Sequence, residues 1–152
     1  MSFMGTIIRK VLEREARKHP LADWPGVLAA TQPKVTGRFE AGTDSAKNQE
    51  TGRHIIGIER WSQSRLRVFL GEELVMDEYD AYEPATDLDM AALAQAFEEA
   101  RQTSVALANQ IVAAGIGDDK TVPQNDLGDL NASTWFAYIS GHALRESGRI
   151  KA

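Results

Sequence analysis

Apolar residues recur at intervals of three and four along most of this 152-residue chain. That period marks helices that bury one face, and five such stretches follow one another. The first runs from about Ser2 to Lys18. Phe3, Met4, Ile7, Ile8 and Val11 make its apolar side, and it stops before Pro20 because a residue preceding proline is steered away from the α region. Its stripe requires a partner, in the same chain or in a second subunit. The second opens at Asp23, an N-cap candidate with Pro25 in the first turn. It places Leu28, Val35 and Phe39 on one face, and Pro33 predicts a kink or two shorter pieces.

The third stretch covers about Glu50 to Leu70, with His54, Ile58, Trp61 and Val68 near one stripe and Gly71 as the residue that ends it. The fourth is the most regular. Thr86 or Asp87 caps it, Gly115 ends it, and Leu93, Phe97, Ala100, Ser104, Leu107 and Ile111 alternate at spacings of four and three. The fifth starts near Asn131 or Ser133 and runs to the end of the chain, with Trp135, Tyr138, Ile139, His142, Glu146 and Ile150 inward. Residues 41–49, 72–84 and 115–130 read as loops, the second of them acidic. Four long helices after a first, shorter one predict an all-α fold: a four-helix up-down bundle with an extra N-terminal helix.

Composition narrows the chemistry. Hydrophobic residues at 43% supply a core for one domain over residues 1–152. The net charge of −5 weighs against sequence-independent nucleic-acid binding. The charge is uneven, however: residues 1–20 hold five basic and two acidic side chains, and the rest hold twelve basic and twenty acidic. The basic first segment reads as a solvated helix face or as a docking element for an acidic partner. No cysteine is present, so any metal site must use histidine and carboxylate. No apolar run approaches the roughly 20 residues that span a bilayer. With Arg9 and Lys10 interrupting the first apolar residues, no secretory leader is read. The expectation is a cytoplasmic protein without a membrane partner.

Ionisable groups occupy apolar positions on two of the helices. His142 and Glu146 are four residues apart, one turn along one side of the fifth. A carboxylate there must be paired, because its charge leaves water at high cost; a divalent cation or an arginine is a suitable partner. His54 holds a similar place near the start of the third helix. If the two helices adjoin, two imidazoles and one carboxylate converge, a set that suits Zn²⁺, Ni²⁺ or Fe²⁺ and leaves positions open for water or substrate. The spacing alone also fits a buried polar network without metal. Ser140 and Ser147 beside His142 lack an oxyanion hole, and Gly115-Ile116-Gly117 lacks a third glycine, so neither a hydrolase triad nor a dinucleotide fingerprint is met.

Three segments carry a family resemblance. Gly52-Arg53-His54-Ile55-Ile56-Gly57-Ile58-Glu59-Arg60-Trp61 resembles the second bundle helix of the DinB-like family of metal-dependent enzymes. Trp135 to Ile150 resembles that family's last helix, and the acidic run Asp77 to Pro84 its segment after the second helix. The resemblance covers about residues 24–151, leaving 1–20 as an N-terminal helical extension. It implies a four-helix bundle, a homodimer, and a divalent transition metal (Ni, Zn, Fe or Mn) held by His54 and His142 with Glu146 where the family has a third histidine. It further implies a thiol-dependent transferase or isomerase, or a hydrolase. The departure at Glu146 admits a carboxylate ligand, which would favour harder ions, or a degenerate site in which Glu146 pairs with an arginine such as Arg53 or Arg60. Tyr79, Asp80 and Tyr82 are expected to line the substrate entrance, and Glu59 to support the ion or act as base. Their simpler roles are loop tyrosines over a core edge, a turn aspartate and a helix–helix ion pair. The alternative function is a non-catalytic dimeric interaction protein.

Overall fold

The computed structural model describes all 152 residues. It is mostly helical, with five helices and one small two-stranded sheet. Ser2 accepts a hydrogen bond from the Gly5 amide and caps α1 (Phe3–Ala16). α2 (Trp24–Ala41) continues through Pro33 as one helix, so of the two expected outcomes, a kink or two shorter pieces, the second does not occur. Pro33 and Ala29 are both exposed, so the Ala29 carbonyl left without its donor faces water. α3 (Ala46–Phe69) begins four residues earlier than periodicity suggests, because Ser45 caps it through the Asn48 amide. α4 (Met90–Ala113) is capped by Asp89, and Gly115 ends it at φ +65°. α5 (Ala132–Ser147) is capped by Asn131 and stops short of the chain end.

α2 and α3 each pack against both α4 and α5, so they lie diagonally across a shared core. Several contacts fix the directions. The end of α2, the starts of α3 and α4 and the C-terminus meet at one end of the molecule. There Thr43 donates to the Lys151 carbonyl, Asn48 bridges Thr43 and Lys151, and Asp44 accepts from the Met90 amide. α3 and α4 therefore run in the same direction, which departs from strict up-down alternation. The reason lies in residues 70–89, which carry the chain back along the length of α3 before α4 begins. A short 3₁₀ turn, Tyr79–Tyr82, packs on α3 within this return. Leu28, Leu66, Ile111 and Trp135 are fully buried in the larger apolar cluster, and Phe39, Ile55, Leu93 and Phe97 in the smaller one.

The segment expected as a plain loop at 115–130 contains a hairpin. β1 (Val122–Gln124) pairs antiparallel with β2 (Gly128–Leu130), with Val122 opposite Leu130. Gln124 Oε1 accepts from the Asp126 and Leu127 amides, and Gly128 adopts φ +76° to close the turn. Arg65, completely buried on α3, holds the hairpin and the return segment together. It donates to the Pro123 carbonyl (2.6 Å), to Asn125 Oδ1 (2.9 Å) and to the Asp77 carbonyl (3.2 Å). These three acceptors from two segments set where the 79–82 turn sits relative to α3. α1 rests on α5, and Arg9 reaches the Leu127 carbonyl.

Candidate functional site

α3 and α5 pack antiparallel, and their inward faces meet at two levels. Deeper along the pair, Trp61 stacks edge-on against Trp135 with ring centroids 5.8 Å apart. Two turns nearer the end where α2, α3 and the C-terminus gather, His54 faces His142, and the two Nε2 atoms are 3.1 Å apart. Residues seven apart on α3 and on α5 thus repeat one interface, first as indoles and then as imidazoles. His142 is buried at 7% exposure and His54 is half-buried. Burial pushes the His142 imidazole down to about 3, with the neighbouring His54 and then Arg145 and Arg149 adding to the effect. His142 is therefore neutral near pH 7, the form in which a ring nitrogen offers its lone pair.

At most one Nε2 of such a pair carries a proton toward the other. The same 3.1 Å spacing also matches two nitrogens that share one ion at about 2.0–2.1 Å each, with an angle of roughly 100° between them. The two imidazoles fit two positions of a metal site on this ground. Glu146 does not complete the set. Its carboxylate turns to Arg145 (3.5 Å) on its own helix and to Arg149 (3.3 Å) just past the helix end, and not to Arg53 or Arg60. No three His, Asp or Glu side chains converge on one point.

Tyrosines flank the pair on two sides. Tyr79 sets its ring edge-on to His54 at 5.0 Å, and Tyr138 lies 6.0 Å from the His142 ring and edge-on to Trp135. Burial pushes the Tyr138 phenol up to about 12, so it remains a proton-bearing group at neutral pH. Tyr138 was legible as an inward residue of α5 but not as a wall of the site. Its signal is its place four residues before His142, one turn away on the same side.

The other expected residues lie elsewhere. Tyr82 donates its hydroxyl to Asp77 Oδ2 at 2.6 Å, and that hydrogen bond, with burial, raises its pKa. Asp80 is exposed at the turn. Glu59 sits on the opposite side of α3, facing α4, where it takes both arms of Arg101 at 2.7 and 3.2 Å and a hydrogen bond from Ser104 at 2.9 Å. It is a helix–helix ion pair and has no part in the histidine pair. A surface cleft of about 910 Å³ between α1, residues 116–121 and the start of α5 is lined by none of the expected site residues.

Comparison with family models, with curated proteins and with solved structures gave no match.

Proposed function

We propose that this protein is a divalent-metal-dependent enzyme of the DinB-like type, with α2 to α5 as its four-helix bundle and α1 as an addition. The observation that carries the reading is the convergence of His54 and His142 Nε2 atoms to 3.1 Å from two different helices. A neutral, buried imidazole is the ligand form that transition metals take. In this reading His54 and His142 hold the ion (Ni, Zn, Fe or Mn). Glu146, at 13% side-chain exposure and one turn from His142, supplies a third ligand by turning from Arg149. When bound, the ion lowers the pKa of a coordinated water or thiol or polarises a substrate oxygen. Tyr79 and Tyr138 would bound the substrate's space, with Tyr138 as a hydrogen-bond donor because its proton is held. The reactions that fit are thiol-dependent transfer or isomerisation, or hydrolysis.

One observation favours a second reading. The Glu146 carboxylate already lies near two arginines, as in a site that has lost its metal, leaving a dimeric, non-catalytic interaction protein. Metal content separates the two. Protein purified without chelator or affinity tag is analysed by plasma mass spectrometry beside His142→Ala, then titrated with Ni²⁺, Zn²⁺, Fe²⁺ and Mn²⁺ by calorimetry. Near-stoichiometric binding lost in the variant supports the enzyme. Absence of binding for all four ions leaves the second reading.

A further inference from the structure

α1 turns its apolar stripe to water. Phe3 is 83% exposed, Met4 62%, Val11 45%, and Ile7 and Ile8 42% each. What α1 sets against the rest of the chain is a different strip, built on Gly5, Leu12 and Ala16. Gly5 is buried so close to the Asp126 carbonyl that a Cβ would stand 2.9 Å from it. At about 100° per residue the centre of the stripe falls roughly 130° from the centre of that strip, largely outward. The amphipathic pattern is thus real, but its partner is not in this chain.

We propose that the stripe is covered by the same helix of a second copy, packed antiparallel about a two-fold axis between Ile7 and Ile8. Four of the five stripe residues match about that point, while Phe3, whose counterpart position is the body-facing Leu12, lies beyond the matched centre. Met4 and Val11 are equally distant from it, so Met4 meets Val11 of the second copy and Ile7 meets Ile8. A two-fold contact requires such a patch that matches itself. The size is adequate: five large apolar side chains remove on the order of 500 Å² per copy, or about 1,000 Å² in all, the lower bound for a specific interface. Because the stripe points away from the body, the two bodies lie on opposite sides of the helix pair and do not collide.

Charge decides between this occupant and an anionic surface. Lys10, Arg14 and Arg17 run along one edge of the stripe and would suit either an acidic lipid or the dimer margin. Outside residues 1–20, however, the chain holds twenty acidic against twelve basic side chains, and an anionic membrane repels that body. In the antiparallel pair the two basic edges fall on the same side and only Lys10 comes near its own copy, so added salt screens a modest repulsion and strengthens the dimer, whereas it would release an anionic partner.

Sedimentation equilibrium of the full chain, from micromolar to submillimolar concentration at low and high salt, tests this directly. The expected result is a reversible dimer that tightens with salt and is weakened at least about 30-fold by Ile7→Glu, which enters the contact twice. Far-UV circular dichroism checks that this variant is folded. The absence of cysteine permits a second measurement. Under mild oxidation Ile8→Cys should form a disulfide-linked dimer rapidly, and Gly37→Cys, on an exposed and open face of α2, should not. A monomer at all concentrations overturns the proposal. So does a dimer that is indifferent to Ile7→Glu and that cross-links no faster in the Ile8→Cys variant than in the Gly37→Cys variant. A monomer that binds phosphatidylserine-containing vesicles, ignores phosphatidylcholine alone and dissociates with salt assigns the stripe to a lipid surface instead.

Discussion

α3 buries ionisable groups on two sides, and the two sides end in opposite states. Toward α4, Glu59 is 2% exposed and Arg101 1%. Their charges cancel through two hydrogen bonds, Ser104 adds a third, and Arg101 also donates to the Leu28 carbonyl and the Thr31 hydroxyl. Toward α5, His54 and His142 meet nitrogen to nitrogen, 3.1 Å apart. The first group is closed: its charges are matched, and nothing remains for a ligand. The second sets two ring nitrogens from different helices against each other. Burial of polar groups alone does not mark a functional site; what distinguishes the histidine side is that two ring nitrogens from different helices meet without a charge to match them.

The largest test removes one member of the closed side. Arg101→Ala strands the Glu59 carboxylate in the core and should cost about 3–5 kcal/mol by urea denaturation. Replacing both partners with apolar residues, Glu59→Leu with Arg101→Met, should recover most of that loss. If the double variant were as unstable as the single one, the pair would be more than a matched structural couple.

On the open side, a bound ion should stabilise the protein by about 2.7 kcal/mol at one hundred times its dissociation constant. His142→Ala should lose this increment while keeping its helical circular dichroism, and an equal thermal shift in parent and variant would remove His142 from the ligand set.

Acid should expose the same residue in metal-free protein. The His142 pKa is about 3 when folded and near its ordinary 6.5 when unfolded. Below 6.5 the unfolded chain takes up a proton that the folded one refuses, so this contribution is fully present above pH 6.5 and declines as pH falls toward 3. Between pH 7 and pH 5 the loss should be about 2 kcal/mol, read as the difference between parent and His142→Asn in urea titrations. Parallel stability profiles in the two proteins would mean that His142 is not held neutral.

Smallest should be Glu146→Ala. Its partners Arg145 and Arg149 are 66% and 71% exposed, so the fold should lose less than about 1 kcal/mol. A metal affinity that also stays unchanged would leave the ion with only its two histidines.

Much of this contrast was legible in the sequence, unevenly. The five helices follow from apolar spacing, but the facing of His54 and His142 was only a condition placed on the sequence, because the register between two helices is not written in one chain. Arg101 was missed, although it falls four residues after Phe97 and three before Ser104, within the core stripe of α4; a cation at such a position implies a buried acid. The Glu146 geometry was not legible, because a side chain one turn from a ligand can equally turn along its own helix. The hairpin was missed because strands of three residues are too short to show alternation. The stripe of α1 is legible as unsatisfied, yet which of its faces meets the body depends on Gly5, whose missing side chain lets the backbone approach Asp126.

The diagonal placement of α2 and α3 bears on how the molecule acquires its shape. Among α2 to α5, no two consecutive helices form an antiparallel hairpin: α2 and α3 are diagonal, α3 and α4 are parallel, and α4 and α5 are diagonal again. The pairing nearest in sequence, α3 with α4, is parallel and joins residues about 42 apart, as in Glu59 with Arg101, and the others, α2 with α4 and α3 with α5, span still more of the chain. Each closes a long loop before any packing compensates for the lost entropy. A helical protein built this way has a high contact order for its class, and its refolding should be slower than that of a bundle whose neighbours in sequence are neighbours in space.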